Sequence, residues 1–298
     1  MGPRGRIVTA YLCQTLGGHM RLRNIRGSRN IEDRRRSGGG AEAGIGGVGL
    51  LVVLAIGYFA GIDVTPLLQG QDPYAQGQSG RAPTAEEERA AEFTSKVLAT
   101  TEEVWADLFR EQLGQEYRPP VLVLYSGVTQ SPCGGASGAT GPFYCPADRK
   151  AYLDTAFFAT LAQRLGAGGD FAAAYVIAHE VAHHVQNELG ILGQVNEARQ
   201  ASGEARANAL TVRLELQADC LSGVWAQAVG GLLEPGDIDE ALNAARMIGD
   251  DHLQRSAGRV PQPHTFTHGT SEQRSGWFTK GYRSGRMQAC DTFGADRL

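Results

Sequence analysis

Two histidines and a glutamate stand together in a spacing that can bind and use a metal ion. His179 and His183 are four residues apart, and Glu180 directly follows the first of them. In a helix this spacing brings both imidazoles to one face, about one turn apart. Glu180 then lies roughly 100° around the helix axis, which suits a proton acceptor better than a third ligand. The pattern predicts half of a catalytic zinc site with a general base beside it.

The flanking residues predict that this motif lies on a helix. Residues 171–189 contain neither Pro nor Gly, Asp170 can cap the start, and Gly190 stands where a helix would stop. A catalytic zinc ion takes three protein ligands and leaves one position open for water. A third ligand therefore has to come from another part of the chain.

A second predicted helix, residues 204–229, supplies the best candidate for the third ligand. Glu215 and Asp219 are four residues apart and share a helix face. Glu215 would bind zinc, and Asp219 would accept the second ring N–H of His179 and fix its orientation. The alternative is that both acids are ordinary charges on a solvated face. In that case the remaining candidates for the third ligand are Glu204, His252, His264 and His268.

Four stretches of the sequence resemble the bacterial neutral zinc metallopeptidase family, a gluzincin-like group. They are residues 141–148 (GPFYCPAD), 169–186 (GDF leading into AHEVAHHVQ), 215–220 (ELQADC) and 265–274 (TFTHGTSEQR). The resemblance implies a zincin-like fold, one zinc ion per chain, and a peptide or protein substrate. It starts near Met20-Arg21-Leu22-Arg23, which makes Met20 a candidate for the true start of the chain.

The predicted mechanism is hydrolysis of a peptide bond by a zinc-activated water. Glu180 would take the proton of that water and deliver it to the leaving amine. His268 is the candidate donor to the oxyanion, because it lies in a polar loop just ahead of a capped helix. His184 is offset by one residue from the metal face, so we expect a supporting or surface role. The resemblance also implies that Tyr144 lies at a sheet edge that pairs with extended substrate.

Two other function classes fit the same motif. A zinc hydrolase of a non-peptide amide would use the same centre, since specificity depends on pocket walls that the motif does not define. A non-catalytic, zinc-stabilised interaction module would not need Glu180. The net charge of −4 over 298 residues gives no reason to expect a nucleic-acid partner.

The N-terminal part of the sequence predicts a membrane anchor. Residues 43–62 are 20 residues without a charge, long enough to cross a bilayer as one helix. Nine Arg precede them and only Arg81 follows before residue 84, which favours a cytoplasmic N-terminus. A cleaved signal peptide is the alternative. We therefore expect a single-pass inner-membrane protein with a cytoplasmic segment 1–42, a transmembrane helix 43–62, a flexible linker 63–83 and an extracytoplasmic metallopeptidase domain 84–298.

The cysteines agree with an oxidising compartment. Four of the five lie after the apolar segment, an even number without CxxC spacing. Cys133 and Cys145 bracket a Gly-rich loop and are expected to pair, which leaves Cys220 for Cys290. The alternative is that Cys220 is a buried free thiol.

The catalytic domain is predicted to be α+β and mostly helical, with a small sheet. Its roughly 215 residues are enough for one sizeable core. The predicted features are capping boxes at Thr84/Glu87 and Thr270/Gln273, strands at 121–125, 143–144 and 150–153, a loop at 127–141, and helices at 84–113 and 154–165.

Overall fold

The computed structural model describes residues 20–35, 82–137, 141–163 and 165–298, which form mainly helices around a small sheet. The helices are α1 (Ala85–Leu108), α2 (Phe157–Gln163), α3 (Asp170–Glu188), α4 (Ile191–Gln200), α5 (Glu204–Ala228), α6 (Asp237–Met247), α7 (Asp250–Ser256) and α8 (Ser271–Ser284). A π-helical turn spans Phe109–Leu113, and short 3₁₀ turns span Gly230–Leu232, Pro263–Thr265 and Met287–Cys290. The strands are β1 (Ile31–Asp33), β2 (Val121–Tyr125), β3 (Val128–Ser131), β4 (Gly134–Ser137), β5 (Phe143–Cys145) and β6 (Lys150–Asp154). The predicted mostly helical α+β class is confirmed.

The main sheet has the strand order β1-β2-β6-β5. β1, β2 and β6 run parallel, with Val121 opposite Lys150 and Tyr125 opposite Asp154, whereas β5 runs antiparallel to β6. β2 and β6 are almost entirely buried, as expected for parallel strands covered on both faces. β5 is therefore an edge strand, and it contacts α3.

Helix α3 lies in the centre of the core. Almost every residue from Asp170 to Gln186 is buried, and α3 packs against α1, α5 and α6. A helix that is apolar nearly all round is stable only when it is surrounded by other elements. The His–Glu motif on this helix is therefore an interior feature rather than part of a solvated face.

Helices α5 and α8 cross at very close range. A Cβ atom at Gly223 of α5 or at Gly281 of α8 would overlap the backbone of the other helix. The disulfide Cys220–Cys290 joins the same region, with 5.4 Å between its Cα atoms. Glycine contacts and the disulfide thus fix α8 against the helix that carries Glu215.

Residues 20–35 belong to the same domain, which differs from the expected boundary at residue 84. Met20 and Leu22 are buried in the main core, and Ile31 of β1 pairs with Leu122 of β2. The basic character of this segment suggested a separate cytoplasmic tail, but several of its charges have partners in the domain. Arg35, for example, pairs with Asp33 and with Glu88 of α1.

The β1–β2 pairing has a consequence for membrane topology. Paired strands must lie on the same side of any bilayer, so a single span through residues 43–62 would separate β1 from β2. The expected placement of residues 1–42 inside and 84–298 outside stays a prediction, and the pairing of β1 with β2 provides a way to test it. Residues 43–62 themselves lie outside the described ranges. Within those ranges, none of the helices combines the length and the apolar character that crossing a membrane requires.

Other predicted elements agree with the structure to different degrees. Both capping boxes are present, with reciprocal hydrogen bonds between Thr84 and Glu87 and between Thr270 and Gln273. The expected loop at 127–141 contains the antiparallel hairpin β3–β4, and the expected helix at 154–165 is reduced to α2. Cys133 and Cys145 form a disulfide that ties this hairpin to the edge strand β5.

Candidate metal centre

Three side chains from α3 and α5 converge on one point. His179 Nε2 lies 3.1 Å from Glu215 Oε2, and His183 Nε2 lies 3.5 Å from Glu215 Oε1. One nitrogen or oxygen atom of each residue lies within 4.8 Å of the others. Two imidazole nitrogens and one carboxylate oxygen form a donor set that suits zinc and leaves a fourth position open. The residues therefore fit the expected metal ion.

A buried carboxylate fixes the orientation of His179. Asp219 Oδ1 accepts a hydrogen bond from His179 Nδ1 at 2.9 Å, so Nε2 is the nitrogen that faces Glu215. Burial would raise the pKa of Asp219, but Arg274 and His179 outweigh burial and hold that pKa below its usual value. An ionised acceptor behind a ligating imidazole is a typical partner of a zinc ligand.

The side-chain amide of Gln186 orients His183 in the way that Asp219 orients His179. The Nδ1 atom of His183 donates to Gln186 Oε1 at 2.9 Å. Gln186 Nε2 in turn donates to the carbonyl of Leu214 at 2.7 Å and to Gln217 Oε1 at 3.1 Å, which defines the orientation of the amide. Both imidazoles thus use Nδ1–H on a buried acceptor and offer Nε2 to the centre.

The charges at the centre favour a cation. Burial would lower the pKa of His179, but Asp219 and Glu215 raise it to about 10. Burial would raise the pKa of Glu215, but His183 and His179 bring it well below its usual range. The carboxylates that favour a proton on His179 would equally favour a divalent cation, which replaces such a proton when a metal binds.

Glu180 lies next to this centre without joining its hydrogen bonds. Its side chain is partly buried, and burial raises its pKa. Its carboxylate makes no hydrogen bond with a described residue. It is therefore available to exchange a proton, as a general base requires.

His268 lies in a loop that packs against α5 close to Glu215. Gly269, the next residue, lies against Val212 and Leu216 of α5. Asp250 holds the loop by accepting from the backbone N–H of His268 at 2.6 Å, and its Oδ1 lies 3.3 Å from His268 Nδ1.

The electrostatic surroundings of His268 favour a hydrogen-bond donor. Burial would lower the pKa of His268, but Asp250 and Glu215 raise it above its ordinary value. The side chain is 38% exposed, so part of the ring is accessible to solvent.

Comparisons with known proteins agree with this geometry. The model of a protein family described as "Putative neutral zinc metallopeptidase" matches residues 20–293. The chain belongs to this family. It is 49% identical to the uncharacterized protein YpfJ from Escherichia coli strain K12 over 287 residues, which cover 92% of this chain and 99% of that protein. It is 44% identical over 216 residues to the uncharacterized protein Rv2575 from Mycobacterium tuberculosis strain H37Rv, covering 68% and 71% of the two chains. No solved structure matches the chain.

In this member of the family, the alternative candidates for the third ligand lie outside the ligand cluster. Glu204, His252 and His264 are not part of it.

His184 is fully buried, which excludes the surface role that we considered for it. Its Nε2 donates to the carbonyl of Arg118 at 2.6 Å, and its Nδ1 accepts from the hydroxyl of Tyr144 at 3.0 Å. His184 therefore fixes Tyr144 on the edge strand β5 relative to α3.

Three supporting residues were not identified from the sequence. Tyr175 precedes His179 by one helical turn and donates to Asp219 Oδ1 at 2.5 Å, so i,i+4 spacing could have indicated it. Gln186 follows His183 by three residues and could have been found in the same way. Arg274 ends the stretch 265–274 that carries the resemblance, but no local spacing indicated its role, because its partner Asp219 is 55 residues away in the chain.

Proposed function

We propose that this chain is a zinc-dependent peptidase that hydrolyses peptide bonds with Glu180 as the general base. The observation that carries the proposal is the convergence of His179, His183 and Glu215 within 4.8 Å, with Glu180 beside them. When bound, a zinc ion with an open position lowers the pKa of a coordinated water to about 7 and polarises a substrate carbonyl.

Each residue around the centre then has a separate role in the hydrolysis. Glu180 accepts the proton of the attacking water and passes it to the leaving amine, and its raised pKa helps it to hold the proton between these steps. His268 donates a hydrogen bond to the carbonyl oxygen as negative charge develops there. Asp219 and Gln186 keep the two imidazoles in place throughout.

The edge strand β5 supports a peptide substrate over a small amide. β5 pairs on one side with β6 and is the last strand of the sheet, close to α3. An extended peptide can add to such an edge through main-chain hydrogen bonds. Tyr144 of β5, held by His184, would lie alongside the bound chain.

The test is cleavage of an unbiased peptide library by the full chain, with and without a chelator. We expect cleavage that stops when zinc is removed and returns when zinc is added back. Hydrolysis of small amides without cleavage of any peptide would favour the non-peptide hydrolase. A zinc-loaded protein that hydrolyses neither class of substrate would favour the interaction module.

Attachment to a lipid bilayer through residues 43–62 is a separate proposal, supported by their length and lack of charge. It has to satisfy the β1–β2 pairing. Accordingly, we expect single cysteines introduced at Arg29 and at Arg118 to be labelled from the same side of the membrane by an impermeant reagent. Labelling from opposite sides would restore the single-span topology and contradict the pairing.

A further inference from the structure

Arg274 is a buried arginine on α8 whose guanidinium pairs with Asp219. Its Nε donates to Asp219 Oδ2 at 2.8 Å and its Nη2 donates to Asp219 Oδ1 at 2.9 Å. The side chains of Arg274 and Asp219 are 2% and 0% exposed. Two parallel N–H···O bonds of this kind fix the plane of a carboxylate as well as its position.

The same carboxylate supports His179. Asp219 Oδ1 accepts from His179 Nδ1 at 2.9 Å and from the hydroxyl of Tyr175 at 2.5 Å. Arg274 Nη2 also lies 3.3 Å from the Tyr175 oxygen. A rotation of the carboxylate would therefore move the acceptor away from His179 Nδ1–H.

The packing of α8 against α5 fixes the direction from which the side chain of Arg274 approaches Asp219. Helix α8 begins at Ser271 with Thr270 as its N-cap, two residues after His268. Its contact with α5 at Gly223 and Gly281 leaves no space for a Cβ atom. The guanidinium thus comes from an element that cannot shift without moving α5, and it reaches no metal ligand directly.

We propose that Arg274 is a positioning residue of the zinc site. It holds Asp219 in the orientation that keeps His179 Nδ1–H engaged and His179 Nε2 directed at the metal. This inference rests on the proposed zinc site but not on the reaction catalysed there.

The alternative is that Arg274 only neutralises a buried carboxylate and thereby stabilises the fold. Arg35 offers a matched control, because it is also buried, 6% exposed, and pairs with the carboxylates of Asp33 and Glu88. Asp33 and Glu88 are not among the ligands or their hydrogen-bond partners. Loss of the Arg35 pairing would change stability without changing the zinc site.

The experiment compares Arg274→Lys and Arg274→Gln with Arg35→Lys in the full chain. Zinc affinity is measured by competition with a chelator on protein that melts cooperatively, and the tautomer of His179 is read from ¹⁵N chemical shifts of its ring. We expect zinc affinity to fall about 10- to 100-fold in both Arg274 variants, the range typical for a lost partner of a zinc ligand. We also expect the His179 ring signals to change while those of His183 stay in place. Arg35→Lys should leave zinc affinity and both ring signals unchanged.

The remaining outcomes separate the two proposals. Folded Arg274 variants with wild-type zinc affinity and an unchanged His179 tautomer would overturn the positioning role. The same role is overturned if both Arg274 variants unfold while Arg35→Lys folds, because Arg274 would then be purely structural. If the wild-type protein itself binds no zinc at His179 and His183, the proposed function fails as well.

Discussion

Helix α3 contributes residues to two clusters of potential metal ligands, one shared with α6 and one shared with α5, and the hydrogen bonds around the two clusters differ. At its first turn, carboxylate oxygens of Asp170, Asp237 and Glu240 lie within 4.8 Å of one another. Each of these carboxylates accepts a backbone N–H: Met20 to Asp170 at 2.7 Å, Glu234 to Asp237 at 2.8 Å, and Phe171 to Glu240 at 3.0 Å. Acidic groups at helix N-termini commonly use backbone amides and the helix dipole in this way.

The second cluster, in the middle of α3, uses its atoms in a different way. His179 and His183 donate from Nδ1 to dedicated buried acceptors, and their Nε2 atoms face only Glu215 and the open position. We therefore expect zinc at the second cluster and not at the first, because imidazoles with a partner on Nδ1 and convergent Nε2 atoms are typical of zinc sites.

The largest expected effect is loss of the metal from the central cluster. His183→Ala and Glu215→Ala each remove one of three ligands, so we expect zinc content near zero and no hydrolysis. Asp170→Asn in the first-turn cluster should leave one zinc per chain. Metal analysis after dialysis measures both. Zinc lost from Asp170→Asn, or retained in full by Glu215→Ala, would reverse the assignment of the two clusters.

The second largest effect is expected on kcat, when the proposed donor to the oxyanion is removed. His268→Ala should lower kcat by about 10²- to 10³-fold, or roughly 3–4 kcal/mol, if His268 is the main donor to the oxyanion. Zinc content and melting temperature should stay at wild-type values, because His268 is not a ligand. His264→Ala, at an exposed position in the preceding turn, is the matched control. Equal kcat values for the two variants would remove His268 from the mechanism.

A moderate effect on stability is expected beside the first-turn cluster. Leu22 is 6% exposed and belongs to the core segment that places Met20 next to Asp170. Leu22→Ala should lower the free energy of unfolding by about 2–3 kcal/mol without changing zinc affinity. Val260→Ala, where the side chain is 81% exposed, should cost little. Denaturant titration distinguishes them, and equal stabilities would mean that residues 20–35 do not pack as described.

The smallest effect concerns pH. Burial, together with Asp170 and Asp237, raises the pKa of Glu240 to about 7 from its ordinary 4.5. The folded state then holds a proton that the unfolded state releases, so stability falls as pH rises through this window. The measured quantity is the melting temperature of Glu240→Gln minus that of the wild type. We expect this difference to be about 1–2 °C larger at pH 8 than at pH 5, after allowance for solvent screening. Glu197→Gln, on the exposed face of α4, should show no such trend. A difference of opposite sign would contradict the raised pKa.

The local part of the site could be predicted from the sequence because helical periodicity determines it. Four-residue spacing placed His179 with His183 and Glu215 with Asp219, and the ends of both helices lie within a residue or two of their expected positions. The expected cysteine pairs are also the disulfides that the structure contains. Short-range geometry limits what such residues can contact, so pattern and spacing were sufficient.

The non-local part could not be predicted in this way. β1 is a three-residue strand with one apolar residue, Ile31, within a charged tract, so neither alternation nor propensity marks it. Its parallel partner β2 follows almost 90 residues later in the chain. Arg274 likewise acquires its role only because α8 crosses α5 at two glycines. Contacts of this kind depend on the packed core.

The most direct test of the central claim is the Glu180→Gln variant, compared with Glu188→Gln near the end of the same helix. Zinc content and peptide cleavage are measured on the same samples. We expect both variants to hold one zinc per chain, because neither residue is a ligand. Turnover should fall at least about 10²-fold in Glu180→Gln only, since only this substitution removes the general base. A zinc-loaded Glu180→Gln protein that cleaves at the wild-type rate would contradict the mechanism.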